Sequence, residues 1–186
     1  MMLPLASATA YPARLVPRLG VASDVRRVRV VHQLDGIDDE VDPVDVLTVG
    51  HRLWSTWRQH PDFAAHDLIL GLDAGGILPT VAVAMASATP YRLAWKVDLD
   101  LPDKRVFYER HARRVEVFAY GQMRGRRILI VDDEVTSGVT IAGLAEVLQA
   151  AGAVVVGAVC LVEETSGGGR SLLEGLRIPC CALTTI

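Results

Sequence analysis

Asp132 and Asp133 stand side by side at the end of the apolar run Ile128-Leu129-Ile130-Val131, and after two further positions comes a turn of small and hydroxyl residues, Thr136-Ser137-Gly138-Val139-Thr140. Paired carboxylates accept hydrogen bonds from vicinal hydroxyls and repel anions. The turn has the opposite character. If it feeds a helix, its unpaired N–H groups and the positive end of the helix dipole hold a phosphate. Gly138 lets the backbone close around that anion, and the hydroxyls of Thr136, Ser137 and Thr140 add donors. One kind of ligand satisfies both halves: a sugar phosphate, with its hydroxyls on the acids and its phosphate in the turn. The competing reading is structural, with Asp133 capping a turn and Ser137 or Thr140 capping the helix. Paired acids directly after a buried strand favour the ligand.

The elements that must position these residues are legible around them. "RRILIVDD" has the length and β-branched content of a buried strand, and "TIAGLAEVLQAAGA" is an amphipathic helix ended by Gly152. "VVVGAVCLVEE" reads as the next strand, "GGGRSLLEGLRIP" as a glycine loop with a short helix, and "CCALTTI" as a last strand. Upstream, "DPVDVLTVGHRLWSTWRQH" spaces Val46, Leu47, Leu53, Trp54 and Trp57 for a helix after an Asp-Pro start. "DLILGLDAGG" is a strand breaking into Asp73, Ala74, Gly75 and Gly76. "ILPTVAVAMASA" follows as a helix with Pro79 in its first turn, and "YRLAWKVDL" as another strand. Strands and helices alternating at these lengths predict an α/β fold, an open and mostly parallel twisted sheet flanked by helices. Residues 101–124 pack Lys104, Arg105, Arg110, Arg113 and Arg114 around scattered apolar positions without a period. A two-stranded flap suits them, a solvated surface ribbon being the plainer reading.

Composition sets the outer limits. The 186 residues are 51% hydrophobic and suffice for one domain, with 1–42 as an irregular arm or hood and 66–186 as the core. A net charge of −3 argues against nucleic-acid binding, which needs a basic surface. Cys160, Cys180 and Cys181 have neither metal-ligand spacing nor an even count, which points to a reducing compartment. The first residues lack a basic n-region and carry prolines where an apolar h-region should run, and no apolar run reaches the roughly 20 residues of a membrane span. A cytoplasmic protein with no membrane partner is expected.

"ILIVDDEVTSGVT" resembles the 5-phosphoribosyl-1-pyrophosphate (PRPP) signature of type I phosphoribosyltransferases, departing from it at Glu134, where the family has an apolar residue. "LILGLDAGGILPTVAVA" is similar to the family's pyrophosphate loop and its helix, closest to the adenine branch. "YRLAWK" resembles the strand that presents a basic residue to the diphosphate, "VFAYG" the end of the hood loop, and "VVVGAVCLVE" the last βαβ stretch. The resemblance covers about residues 66–186.

The resemblance implies transfer of ribose 5-phosphate from PRPP to a purine-like nucleobase, with release of pyrophosphate. It implies that Thr136, Ser137, Gly138, Val139 and Thr140 hold the 5-phosphate, and that Asp132 and Asp133 hold the ribose hydroxyls. Asp73, Ala74, Gly75, Gly76 and Lys96, with Arg105 and Arg110 from the flap, would hold the pyrophosphate. Asp132, Asp133 and Lys96 are the catalytic candidates. Mg2+ is the expected cofactor, carried by the diphosphate and reached by Asp132 and Asp133 directly or through water. A homodimer is the family expectation. In the adenine branch an acid precedes Tyr-Gly where this chain has Ala119, with Glu116 and Glu109 as substitutes nearby and His111 as a candidate proton shuttle. That branch has Arg in place of Gly75. The hypoxanthine-guanine branch has an acid in place of Thr136 and does not fit. "DKRVFYERHARR" is loosely similar to the Lys/His-rich loop of the orotate branch, so an orotate-type acceptor and a non-catalytic PRPP-binding regulator stand as alternatives.

Overall fold

The computed structural model describes residues 10–20, 26–108 and 116–186. Glu109, Arg110, His111, Arg113 and Arg114 lie outside the described residues. In chain order the elements are β1 (Ala13–Pro17), β2 (Val28–His32), α1 (Pro43–Gln59), β3 (Leu68–Leu72), α2 (Ile77–Ser87), β4 (Tyr91–Ala94), β5 (Arg105–Tyr108), β6 (Glu116–Ala119), β7 (Arg127–Val135), α3 (Val139–Ala150), β8 (Val154–Glu163), α4 (Gly169–Gly175) and β9 (Cys180–Thr185).

The central sheet runs β4-β3-β7-β8-β9 with every neighbouring pair parallel. Its middle strands are apolar on both faces, as a sheet covered on two sides requires. Alternation along β7 sends Leu129 and Val131 toward Leu53 and Trp57 of α1 and Val83 of α2. Ile128 and Ile130 face the other way, toward Ile141, Leu144 and Leu148 of α3. The α1 helix starts where the sequence says it must: the Asp42 carboxylate accepts the Val44 N–H at 2.8 Å, and Pro43 fills the first position.

The chain reverses its direction of travel across the sheet between β3 and β7. The unit β3-α2-β4 builds outward on one side and β7-α3-β8 on the other. In open α/β sheets that reversal opens a crevice beyond the strands' carboxyl ends, where ligands bind. The pairing of β3 with β7 ends at Gly71–Val131, while β7 continues beside β8 as far as Val135–Glu163. Asp132 and Asp133 therefore overhang the crevice from a strand held on one side only.

Three expectations need correction. The strand carrying the acids does not stop at Asp133; β8 is long enough to pair with it through Val135. The arm is not irregular throughout. Residues Ala13–Pro17 pair antiparallel with β2, anchored by the buried Tyr11 beside them. Prolines at positions 12 and 17 hid this strand, but Pro17 closes it at the end, where a missing N–H is tolerated. Finally, "YRLAWKVDL" is a strand only to Ala94, because its partner β3 ends at Leu72. Trp95 then pairs with Phe118 of the flap.

The α1–α2 contact explains an unusual mid-helix glycine. A side-chain carbon at Gly50 would overlap the Ala82 carbonyl and lie 2.9 Å from the Ala82 Cβ. An exposed Gly→Ala change inside a helix gains up to about 1 kcal/mol. Here Gly50→Ala is expected to lose about 1–3 kcal/mol by overpacking. Urea unfolding would read this as a lower midpoint at unchanged slope; a higher midpoint would contradict the contact.

Candidate active site

The two aspartates differ in environment. Asp132 accepts the backbone N–H of Asp133 at 2.9 Å. Burial and then the neighbouring Asp133 charge push its carboxyl well above the usual carboxylate range. Burial acts upward on Asp133 too, but its contacts with His32 and Asp132 outweigh this and hold it below that range. The pair's negative charge thus rests chiefly on Asp133, where hydroxyl donors or a cation would offset it.

The loop 73–76 between β3 and α2 closes directly over this pair. A Cβ on Gly75 would overlap the Asp133 carboxylate, and one on Gly76 would lie 2.9 Å from Asp132 Oδ1 and 2.7 Å from the Leu72 carbonyl. No side chain fits at either glycine without moving an acid. The Asp73–Ala74 peptide bond is cis. Asp73 also ties the loop to the next strand: its N–H donates to the Ala94 carbonyl at 3.0 Å, and its Oδ2 accepts the Lys96 N–H at 3.2 Å. Lys96 is thereby fixed beside the loop that the sequence groups it with.

On the far side of the acids, Gly138 has φ 70° and is the N-cap of α3, with no side-chain cap. The capping role open to Ser137 or Thr140 is not taken. The first N–H groups of α3 accordingly have no intrahelical partners. A second loop braces this turn: the Gly169 N–H donates to the Thr136 carbonyl at 2.7 Å, and the Glu164 N–H to the Val135 carbonyl at 2.8 Å. A Cβ on Gly167 would lie 2.6 Å from the Thr136 carbonyl, so the glycine run after β8 is needed for close approach. Arg170 locks the bracing loop through Glu163 and the Cys180 carbonyl, the latter at 3.0 Å.

The glycine loop therefore touches both acids, the backbone of Lys96 is tied to that loop, and the helix turn follows the acids at the end of the same strand. Arg105 does not join them. It lies on β5, where its guanidinium donates to the Lys104 carbonyl at 3.0 Å, and Lys104 itself pairs with Asp98 at 2.6 Å. The flap is real as a ribbon, since β5 and β6 pair antiparallel and Phe107 packs into the core. Ala119 is wholly buried, and Glu116 is exposed at the start of β6. Arg110 lies outside the described residues.

Two residues of the arm reach the site without any warning in the sequence. His32, at the end of β2, places Nε2 3.7 Å from Asp133 Oδ2. Arg26 pairs with Glu134 at 2.6 Å, and this explains how an acid is accommodated where the family has an apolar residue. Burial, then the Asp133 charge, raises Glu134, and Arg26 opposes them. Spacing could not disclose either contact, because each joins positions about a hundred residues apart through tertiary folding. Among the described residues no cluster of three or more His, Cys, Asp or Glu side chains forms a metal cage, and no helix is long and apolar enough to cross a membrane.

Known proteins are similar to this chain in sequence and fold. The phosphoribosyl transferase domain model matches residues 46–178. A xanthine phosphoribosyltransferase of Chloroflexus aurantiacus is 37% identical over 180 residues, spanning 94% of this chain and 82% of that protein. An adenine phosphoribosyltransferase of Mycobacterium tuberculosis is 33% identical over 116 residues, spanning 60% of this chain and 55% of that protein. In fold, the chain is similar to the crystal structure of adenine phosphoribosyltransferase from Thermoanaerobacter pseudethanolicus, with a TM-score of 0.70, 18% identity and coverage of 93% of this chain and 95% of that one. The crevice, its two loops and these similarities lead to one conclusion: the chain belongs to the type I phosphoribosyltransferase family, in its purine branch.

Proposed function

We propose that this chain transfers ribose 5-phosphate from PRPP to an oxopurine of the xanthine type, releasing pyrophosphate. The observation that carries the reaction is the crevice in which paired carboxylates lie between a glycine loop and a helix N-terminal turn. The choice of base rests on similarity along nearly the whole chain to a xanthine phosphoribosyltransferase, against 60% coverage for the adenine relative. The polar Arg26–Glu134 pair beside the acids also suits a base with carbonyl groups better than an apolar surface would.

In this reading Asp132 and Asp133 accept the ribose hydroxyls, and the turn Thr136–Thr140 receives the 5-phosphate at the positive end of α3. The glycine loop and Lys96 receive the diphosphate. As the C1–O bond to the diphosphate breaks, positive charge grows on the sugar ring, and the carboxylates that anchor the ring also stabilise it. The flap β5–β6 covers the site and excludes water, so that the base nitrogen rather than water attacks the anomeric carbon. Lys96 and the loop N–H groups take up charge on the leaving group.

The donor set fits magnesium: with two hard carboxylates and no metal cage among the described residues, the ion would keep its waters and the diphosphate oxygens as ligands. When bound, Mg2+ neutralises the diphosphate and makes it a better leaving group. Chelation with EDTA is expected to weaken PRPP binding at least tenfold, with recovery on adding Mg2+. Undiminished binding in EDTA would count against a metal-carried donor.

A second reading, a PRPP-binding protein without turnover, is favoured by the buried Ala119 at the position of the adenine branch's acid. One assay separates the two. The protein is incubated with PRPP, Mg2+ and, in turn, xanthine, hypoxanthine, guanine, adenine and orotate, and pyrophosphate is measured. Release that depends on xanthine and exceeds the adenine rate at least tenfold is the expected result. PRPP binding with no release for any base would establish the second reading.

A further inference from the structure

We propose that His32, with Tyr11 behind it, is a positioning residue that aims the Asp133 carboxylate at the ribose of PRPP. The inference rests on the donor-binding role of Asp133 given above. It concerns the arm, which belongs to neither the acid strand nor the two phosphate loops.

The imidazole is held from behind by a buried phenol. The Leu34 N–H donates to the Tyr11 hydroxyl oxygen at 3.0 Å, and that oxygen lies 3.2 Å from His32 Nδ1. With one lone pair committed to Leu34, the phenol directs its own proton to Nδ1. Burial pushes the phenol well above its ordinary value, which keeps that proton in place. With Nδ1 engaged by the phenol, Nε2 is the nitrogen that faces Asp133 and can carry an N–H toward it. The His32 backbone is held as well, its N–H donating to Asp35 Oδ2 at 2.9 Å. His32 is 6% exposed and Tyr11 1%, so neither ring has freedom to turn.

The 3.7 Å from Nε2 to Oδ2 is longer than a formed hydrogen bond and needs a shift of a few tenths of an ångström to become one. Gly75 lies so near the same carboxylate that a Cβ there would overlap it. Asp133 is thus flanked by the arm and the pyrophosphate loop, which bias its orientations without locking it. Limiting those orientations before the donor arrives is preorganisation, and its loss would fall on donor binding.

The test compares His32→Ala, His32→Gln and Tyr11→Phe with the wild type. PRPP affinity is measured calorimetrically with Mg2+, and KM for PRPP and for the base are measured separately. His32→Ala is expected to weaken PRPP binding and raise its KM about tenfold, with the base KM changed less than threefold. His32→Gln, which can return an N–H to Asp133, should recover at least half of the lost affinity on a logarithmic scale. Tyr11→Phe should cost about two- to fivefold, and imidazole 15N NMR should show the Nε2–H tautomer dominant in the wild type and mixed in Tyr11→Phe. If His32→Ala does not fold, the Tyr11→Phe affinity and tautomer results decide. PRPP affinity within twofold of wild type in these variants, equal losses for donor and base, or no recovery in His32→Gln would overturn the proposal. A wild-type protein that fails to bind PRPP would instead remove the functional reading beneath it.

Discussion

The double variant Asp132→Asn, Asp133→Asn should lose PRPP binding altogether while folding as well as the wild type. Each charge-assisted hydrogen bond to a buried carboxylate contributes about 1.5–3 kcal/mol. Two such bonds correspond to a loss of about 150- to 25,000-fold in affinity, enough to carry even a micromolar donor beyond the window of calorimetry. The fold should tolerate the change because the pair does not hold the sheet together. Adjacent buried acids repel, and that repulsion contributes to the upward displacement of Asp132. Asparagine removes the repulsion at nearly constant volume, so the melting temperature should stay level or rise. Binding within threefold of wild type would remove the acids from the donor site.

Gly75→Ala is expected to have an effect almost as large, by a purely steric route. The added methyl would overlap the Asp133 carboxylate, which can rotate away at small energetic cost because it is the end of a side chain. Stability should therefore change by less than about 1 kcal/mol. Function should not survive so easily, since the rotated carboxylate no longer meets the sugar and leaves its contact with His32. A fall of at least 30-fold in kcat/KM for PRPP, with a melting curve close to wild type, is the expected result. Normal kinetics would mean that Asp133 has room the packing does not show. The same overlap explains why an arginine, as in the adenine branch, cannot be placed here while Asp133 keeps its orientation.

The sequence disclosed most readily what local chemistry determines. The inner strands β3, β7 and β8 were legible from apolar runs, because a sheet covered on both faces writes its burial directly into residue type. Asp42 and Pro43 marked the start of α1, and Gly138 the turn before α3. The grouping of Asp132, Asp133, Gly75, Gly76 and Lys96 came through motif likeness rather than spacing, and the crevice at the sheet's reversal gives that grouping a physical cause. Contacts between distant segments were not legible. Nothing about "VRVVH" says that its histidine ends beside residue 133, or that Arg26 accommodates Glu134, since pairing across the arm depends on how β1 and β2 fold back. The flap was legible as a ribbon but not in its charges: Lys104 pairs with Asp98 ahead of the flap, and Arg105 donates to the Lys104 carbonyl.

The most direct measurement is a crystal structure with PRPP and Mg2+ bound. The account predicts the ribose hydroxyls on Asp132 and Asp133, the 5-phosphate against the amides of the 136–140 turn, and the diphosphate between residues 73–76 and Lys96. Donor density lodged in any other part of the molecule, or a crevice that stays closed at saturating donor, would contradict it.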